Sequence, residues 1–342
     1  MCWLQKLTRR GCNLLKFGNI ELKHGLFLAP MAGYTDRAMR LSSKLHGAEY
    51  TVTEMVSAKA VVFGDKKTFK LARIGADEGN VALQIFGSEP DIMAEGAGIL
   101  LEKAEEMGGI KPVAIDINMG CPVNKIYSNG EGSALMKNPD LIYKIVGSVS
   151  SSVNVPVTVK IRAGIDADHI NAVECALAAE SAGAKLIAVH GRTKTQLYGG
   201  AADRKIIKNV KNSVQIPVIA NGDVVDGDSA MTMIRDTGAD GIMIGRGAVG
   251  NPFIFEEILS ALSGEDYTPP TLEEKINAAL FELKCAVMDK GETFAIPEAR
   301  KKIALYFKGF RGSAHLRAGI NSATTYAEAE RILLALLNES DV

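Results

Sequence analysis

Eight short runs of apolar, mostly β-branched residues constrain the fold of this chain more than any other feature. They begin at residues 26, 50, 81, 113, 155, 186, 216 and 241. A β-strand with a crossover helix and a return takes about 30 residues, which matches this spacing. The runs are nearly all apolar rather than alternating, as is typical of parallel strands covered on both faces. We therefore predict a (β/α)8 TIM barrel of roughly 250 residues. An open doubly wound sheet is the alternative, and the count of eight disfavours it.

Amphipathic segments between the runs predict the helices of such a barrel. Asn138 is a plausible N-cap, Pro139 sits at the first helical position, and one apolar stripe follows, made of Leu141, Ile142, Ile145 and Val146. A second stripe precedes Gly183 and is made of Ile170, Val173 and Leu177.

After Phe255 the pattern is helical throughout, with a break at Pro269 and Pro270, which predicts a small all-helical C-terminal domain. No acidic residue occurs from Ala299 to Ala327, whereas several cations interleave with aromatic residues, namely Arg300, Lys301, Lys302, Lys308, Arg311 and Arg317 with Tyr306, Phe307 and Phe310. The chain has 39 Lys plus Arg and 40 Asp plus Glu, which argues against a surface that binds nucleic acid everywhere but allows one local basic patch. On composition alone this stretch is equally well a solvated helix face over buried aromatics.

Polar and small residues follow nearly every apolar run, and in a barrel those positions converge on one mouth. They are Pro30 to Ala32, Glu54, Gln84, Asn118 with Cys121, Lys160 with Arg162, His190, Asn221 to Asp223, and Gly245 with Arg246. Singly, Gln84, Asp223 and Glu54 are better explained as loop residues or caps. Jointly, the eight positions predict one active site.

Two glycine-rich turns after the last two runs, at 220–224 and 244–252, have the position and chemistry of a barrel phosphate site. Gly245, Gly247 and Gly250 also fit G-x-G-x-x-G, but no further βαβ unit follows, so a dinucleotide-binding fold is disfavoured. Lys160 and His190 suit a planar, phosphate-bearing, electron-accepting cofactor, for which flavin mononucleotide (FMN) is the natural candidate. A phosphosugar enzyme in which Lys160 forms a Schiff base fits nearly as well.

Cys121 follows the fourth run beside Pro122, at the predicted mouth, where a chemical role is favoured. It could give a proton as a neutral thiol or act as a nucleophile, and the sequence leaves both open. Cys175 and Cys285 are interpreted as inert apolar residues. The five cysteines have no paired spacing, so we expect neither a disulfide framework nor a metal site. With no signal peptide and no apolar run of about 18 residues, we expect a cytoplasmic protein that is not membrane-bound.

Seven segments together resemble the flavin-dependent tRNA-dihydrouridine synthases, most closely the bacterial B-type branch. They are LAPMAGYTDRAMR (28–40), VALQIFGSEP (81–90), DINMGCPVNKI (116–126), VTVKIR (157–162), VHGRTKTQLYGGAAD (189–203), IANGDV (219–224) and GIMIGRGAVGNPFIF (241–255). The resemblance implies a catalytic FMN-binding barrel over 17–257 and a helical tRNA-binding domain over 258–342. Residues 1–16 precede the usual start of the family and are given no role.

The resemblance also implies the site. FMN would contact Pro30, Met31, Ala32, Gln84, Lys160, His190, Asn221, Gly222, Asp223, Gly245 and Arg246. Cys121 would be the proton donor, and NADPH or NADH would reduce the flavin, which then delivers hydride to C6 of a uracil turned out of the tRNA stack. The substrate would be held by Asn118 and Arg162 and, in the helical domain, by Arg300, Lys301, Lys308, Arg311 and Arg317. No protein partner is implied.

Two other classes of function compete with this one. An FMN barrel dehydrogenase of free pyrimidines would have no use for the basic stretch at 299–327. A tRNA-binding chaperone with a vestigial barrel would have no use for Cys121, Lys160 and His190.

Overall fold

Parallel strands close into a barrel in the computed structural model, which describes residues 14–106, 108–310 and 313–339. Each of the eight predicted runs contributes one barrel strand. These are Leu26–Leu28 (β3), Tyr50–Val52 (β4), Val81–Phe86 (β6), Ala114–Met119 (β7), Val157–Arg162 (β8), Leu186–His190 (β9), Val218–Asn221 (β10) and Gly241–Ile244 (β11). The pairing runs β4-β3-β11-β10-β9-β8-β7-β6, and a β4–β6 pair closes the ring. The TIM-barrel prediction is confirmed, and the open sheet is excluded. A short strand, Val56–Ser57 (β5), also pairs with β6.

An antiparallel hairpin that the sequence analysis missed precedes the barrel. Its strands are Leu15–Phe17 (β1) and Ile20–Leu22 (β2). Their buried side chains pack with Phe27 of β3 and Tyr50 of β4 in the cluster that fills the barrel interior. The rings of Phe17 and Tyr50 meet edge to face, with centroids 5.6 Å apart. The hairpin therefore covers the end of the barrel at which the strands begin.

Helices surround the barrel and cover the outer faces of its strands. Their bounds are Arg37–Leu45, Ala58–Val62, Lys66–Leu71, Pro90–Lys103, Asn124–Tyr127, Pro139–Ser152, Ala172–Ser181, Arg204–Ser213, Gly227–Thr237 and Ile254–Ser263.

Two of these helices test the predicted apolar stripes. The stripe at 139–152 is confirmed. The side chain of Asn138 accepts a hydrogen bond from the backbone N–H of Leu141. The side chains of Ile142, Ile145 and Val146 are fully buried. The stripe before Gly183 is wrong. Ile170 precedes the helix Ala172–Ser181, and Leu177 points outward. Small residues face the strands instead, because they let this helix approach the barrel closely; they are Ala172, Cys175, Ala176 and Ala179.

The C-terminal helices are Leu272–Lys290, Glu292–Tyr306, Ser313–Ser322 and Tyr326–Glu339, and they share a hydrophobic core of their own. The helix Ile254–Ser263 packs against the barrel helix Gly227–Thr237, so the predicted domain boundary at 257 falls inside a barrel helix. In the described part of the chain, we find no helix with the length and apolar content to cross a membrane.

A buried ionic cluster joins the helical domain to the barrel. The ammonium group of Lys302 lies 3.0 Å from Oδ1 of Asp36, on the barrel, and 2.8 Å from Oε1 of Glu282. Tyr306 donates a hydrogen bond of 2.7 Å to Glu282, and Lys290 lies 2.8 Å from the other oxygen of Asp36. Lys302 is therefore not part of a basic surface, because it is buried between two carboxylates.

The charges of this cluster stabilise each other. Burial alone would raise the pKa of Asp36, but Lys302 and Lys290 outweigh it and lower the pKa to about 2. Burial alone would lower the pKa of Lys302, and Glu282 and Asp36 reverse that direction. The pair is thus ionised throughout the physiological range.

Candidate active site

A cavity of about 1160 Å3 opens at the carboxyl ends of the barrel strands. All eleven residues that the sequence analysis proposed as cofactor contacts line it, and so do Cys121, Asn118 and Arg162. The strand register explains this convergence. Gln84 of β6 pairs with Asp116 of β7, and Asn118 of β7 pairs with Lys160 of β8. Since all the strands run in the same direction, residues that end them reach the same opening.

Lys160 and His190 occupy the wall formed by β8, β9 and β10. The ammonium group of Lys160 donates to Oδ1 of Asn221 at 3.0 Å, and Nδ2 of Asn221 donates to the carbonyl of Met243 at 2.8 Å. Burial, with a smaller contribution from Arg162, lowers the pKa of Lys160 to about 8. Burial and the nearby cations, Lys160 first, lower the pKa of His190 to about 2, so its imidazole is neutral. This wall offers one titratable cation and one neutral donor or acceptor.

The turns after β10 and β11 contribute a second set of groups to the cavity. Asp223 has φ of +53°, in the left-handed region, and its carboxylate is held by the buried Arg192 at 2.7 Å and by the backbone N–H of Ala202 at 2.7 Å. The half-exposed guanidinium of Arg246 lies 4.6 Å from the ring centroid of Tyr198. The backbone N–H groups of Gly245 and Arg246 donate to no acceptor among the described residues. Free N–H groups beside a guanidinium are the donor set that a phosphate requires.

The amides of Gln84 and Asn118 are tied into a buried hydrogen-bond chain. Thr158 donates to Oδ1 of Asp116 at 2.6 Å, and Nε2 of Gln84 donates to Oδ2 of the same carboxylate at 2.7 Å. Nδ2 of Asn118 donates to Oε1 of Gln84 at 2.8 Å. Burial raises the pKa of Asp116, against the opposing effect of the hydrogen bonds from Thr158 and Gln84. The amide groups are therefore largely committed to protein partners.

Cys121 lies in the loop after β7, and its backbone is held at both its N–H and its carbonyl. Oδ1 of Asn118 accepts from the backbone N–H of Gly120 at 3.1 Å and of Cys121 at 2.9 Å. The carbonyl of Cys121 accepts from the hydroxyl of Ser133 at 2.8 Å. Burial raises the pKa of the Cys121 thiol, which the N–H of Val123 and the charges of Arg162 and Lys160 only partly oppose. The sulfur is a neutral thiol at pH 7, which favours proton donation over nucleophilic attack.

Arg162, proposed as a substrate contact, uses most of its donors inside the protein. Its Nε donates to the carbonyl of Gly120 at 2.8 Å, and its Nη1 donates to the carbonyls of Thr193 and Leu197 at 2.9 and 3.1 Å. The side chain therefore joins the loop that carries Cys121 to the loop after β9.

The helical domain forms one side of the cavity through Leu305, Tyr306, Lys308 and Lys275. Lys301 is exposed, and its ammonium group lies 4.3 Å from the ring centroid of Tyr34 at the barrel mouth. Arg317 and Lys308 are exposed, whereas Arg300 is half-buried and donates to the carbonyl of Ala323 at 2.7 Å. Arg311 lies outside the described residues. The basic stretch thus divides into exposed cations, of which Lys301 and Lys308 lie at the mouth, and cations engaged with the protein.

Several functional candidates escaped the sequence analysis. Arg192, which holds Asp223, was visible in the HGRT segment, and Asp116 was visible as a lone charge inside an apolar run. Tyr34 and Tyr198 gave no signal beyond their aromatic character. The described residues contain no group of three or more His, Cys, Asp or Glu side chains placed to hold a metal ion.

Comparison with known proteins supports one family. The model of the family described as "Dihydrouridine synthase (Dus)" matches residues 27–340. A protein of Rickettsia conorii named "Probable tRNA-dihydrouridine synthase" is 40% identical over 310 residues, which cover 90% of this chain and 92% of that protein. The "tRNA-dihydrouridine synthase B" of Pasteurella multocida is 38% identical over 311 residues, covering 91% of this chain and 92% of the relative.

Among solved structures, histamine dehydrogenase from Rhizobium sp. 4-9 has a similar barrel, with a TM-score of 0.55 and 10% identity. The match covers 80% of this chain but only 50% of that protein, and a likeness at such low identity concerns the fold alone. The family match and the close relatives, in contrast, extend over both the barrel and the C-terminal helices. The chain belongs to the dihydrouridine synthase family of enzymes.

Proposed function

We propose that this protein reduces the C5–C6 double bond of uridines in tRNA to 5,6-dihydrouridine, with FMN as cofactor and NADPH or NADH as reductant. The observation that carries the proposal is the position of Cys121. Its neutral thiol shares one cavity with the proposed flavin contacts, and residues of the helical domain form the side of that cavity. The same proposal makes the barrel the flavin-binding unit, assigns tRNA to the helices after Ser263, and puts the protein with its substrate in the cytoplasm.

The residues of the cavity fit FMN. Its phosphate would be held by Arg246 and by the free backbone N–H groups of Gly245 and Arg246. Lys160, His190 and Asn221 would face the flavin ring from the β8–β10 wall, with Lys160 able to stabilise negative charge there. When bound, FMN accepts hydride from the nicotinamide and supplies it to C6 of the uracil.

The protein's own contribution to the chemistry is a proton. Adding hydride at C6 leaves a carbanion-like C5, which must receive a proton to complete the reduction. The Cys121 thiol is half-buried with a raised pKa, so it carries that proton at pH 7. Asn118, Arg162 and Ser133 hold its loop in place, which fixes the direction from which the proton arrives.

Recognition of tRNA rests on the charges around the mouth. Lys301, Lys308 and Arg317 are exposed on the helical domain. On the barrel side, the ammonium groups of Lys137 and Lys194 lie 4.7 and 4.3 Å from the ring centroid of Tyr127, close to the loop of Cys121. Cations on both sides of the opening suit a polyanion that crosses it, while the target uridine turns out of its stack to reach the cavity.

The test is a turnover assay on unmodified tRNA transcripts with NADPH or NADH. We expect the purified protein to carry or take up FMN, and to form dihydrouridine in tRNA but not in free uridine. Colourless protein that takes up no FMN would refute the cofactor. Reduction of free uridine at the same rate as tRNA would favour the free-pyrimidine dehydrogenase instead. Binding of tRNA without turnover would favour a chaperone.

A further inference from the structure

The hydrogen-bond chain beneath the cavity runs from Asp116 through Gln84 and Asn118 to the backbone of Cys121. All three side chains are at least nine-tenths buried. The links are 2.7 Å from Gln84 to Asp116, 2.8 Å from Asn118 to Gln84, and 2.9 Å from the N–H of Cys121 to Asn118. The register of β6, β7 and β8 sets these neighbours side by side, so the chain follows from the barrel itself.

The direction of this chain is fixed from both ends. At one end, the backbone N–H groups of Gly120 and Cys121 can only donate, so the atom of Asn118 that faces them must be its oxygen. The nitrogen of Asn118 then faces Gln84, which must present its own oxygen and turn its nitrogen toward residue 116. At the other end, the carboxylate of Asp116 can only accept, which demands the same orientation of Gln84.

We propose that Asp116 is a positioning residue: by accepting from Gln84 it fixes the orientation of the Gln84 and Asn118 amides, and through them the placement of the loop that carries Cys121. Asp116 touches neither the thiol nor the space where substrate and cofactor meet. Its role in dihydrouridine formation rests on the proposed function, whereas its effect on the Cys121 loop does not.

A leucine at position 116 would cut this chain at its accepting end. Asparagine would not, because its Nδ2 can donate to the hydroxyl of Thr158 while Oδ1 accepts from Gln84. In Asp116→Leu, Nε2 of Gln84 loses its acceptor. Either this donor stays unsatisfied, or Gln84 and then Asn118 turn over and present a nitrogen to the backbone N–H groups of the loop. In each case at least one buried donor loses its acceptor, and the loop of Cys121 loosens.

A paired substitution moves the carboxylate to position 84 and keeps the order of the chain. In the double variant Asp116→Asn, Gln84→Glu, the carboxylate at position 84 accepts from the new amide at position 116 on one side and from Asn118 on the other. Asn118 then again turns its oxygen to Gly120 and Cys121. Thr158→Val is the matched control, because it removes a hydrogen bond to the same carboxylate without changing the order of the chain.

The experiment measures alkylation of Cys121 by iodoacetamide in flavin-free protein, followed by peptide mass analysis. We expect D116L to raise the rate at Cys121 by at least about threefold, and D116N/Q84E and T158V to stay within about twofold of the original protein. If D116L does not fold, Gln84→Met cuts the same chain and is expected to give the same increase. In the assay for dihydrouridine, we expect D116L to lose at least about tenfold in rate.

Three results would overturn the proposal. They are an unchanged alkylation rate in D116L or Q84M, an equal increase in T158V, and an equal increase in D116N/Q84E. A failure of the original protein to form dihydrouridine would count against the proposed function alone, since the alkylation measurements use neither flavin nor tRNA.

Discussion

Lys302→Met removes the cation that joins the helical domain to the barrel and leaves two buried carboxylates behind. Asp36 keeps Lys290 at 2.8 Å, but Glu282 keeps only the hydroxyl of Tyr306 among the described residues. Breaking one side of a buried ion pair costs about 3–5 kcal/mol. This cost cannot exceed the free energy of protonating the carboxylate that has lost its cation, that of Glu282. With an ordinary pKa of about 4.3, neutralising a glutamate at pH 7 takes about 3.7 kcal/mol.

We therefore expect K302M to lower the free energy of unfolding by about 3–4 kcal/mol at pH 7 and by only about 1 kcal/mol at pH 5. The difference shrinks in acid because a buried carboxyl group without its cation keeps its proton in the folded state, and the penalty grows as the pH rises above the unfolded pKa. Urea denaturation of both proteins at the two pH values measures it.

Glu282→Gln in the K302M background serves as the control, because the amide at position 282 still accepts from Tyr306 and carries no charge. We expect it to recover at least half of the loss at pH 7. A loss in K302M that is below about 1 kcal/mol at pH 7, or equal at both pH values, would refute the role given to the buried charges.

Three further outcomes are expected. Cys121→Ala is expected to leave the rate of flavin reduction by NADPH within about twofold and to slow dihydrouridine formation at least about 100-fold. Stopped-flow absorbance measures the first step, and product analysis measures the second. Equal losses in both rates would contradict proton donation. Because the pKa of Lys160 is lowered to about 8, FMN binds flavin-free protein more weakly as the pH rises through that value, and Lys160→Met abolishes the trend in a fluorescence titration. Replacing Lys301, Lys308 and Arg317 together by Gln is expected to flatten the plot of log affinity for tRNA against log salt concentration by roughly 0.7–0.9 per lost phosphate contact. Filter binding measures the slope, and Lys185→Gln, at the other end of the barrel, is the control. An unchanged slope in the triple variant would exclude these cations from tRNA binding.

The fold could be predicted from the sequence because each barrel strand has its own signal. A parallel strand covered on both faces must be continuously apolar, so the eight runs stand out from the helices between them. The hairpin β1–β2 has strands of three residues, which is too short for any periodicity to register. In the helix Ala172–Ser181 an apolar pattern was present but predicted the wrong buried face. Leu177 lies on the solvent side, and small residues face the strands.

The site was predictable where chemistry follows strand ends, and it was not where partners are distant in the chain. Lys302 looks like its neighbours in a basic stretch, yet Asp36, which neutralises it, lies 266 residues away. Likewise, the sequence around Gln84 does not tell whether its side chain contacts a ligand or links Asp116 to Asn118. Only the register of the strands assigns its two amide atoms to these partners.

The hairpin at the start of the chain has a consequence for the order of events in the reaction. It covers the end of the barrel where the strands begin, so reactants reach the interior from the other end. On the proposed function, the nicotinamide and the uracil must each lie against the same flavin ring, and both arrive through that one entrance. They therefore exclude each other: the reductant has to depart before the nucleotide can enter, and a large excess of either one inhibits the reaction of the other.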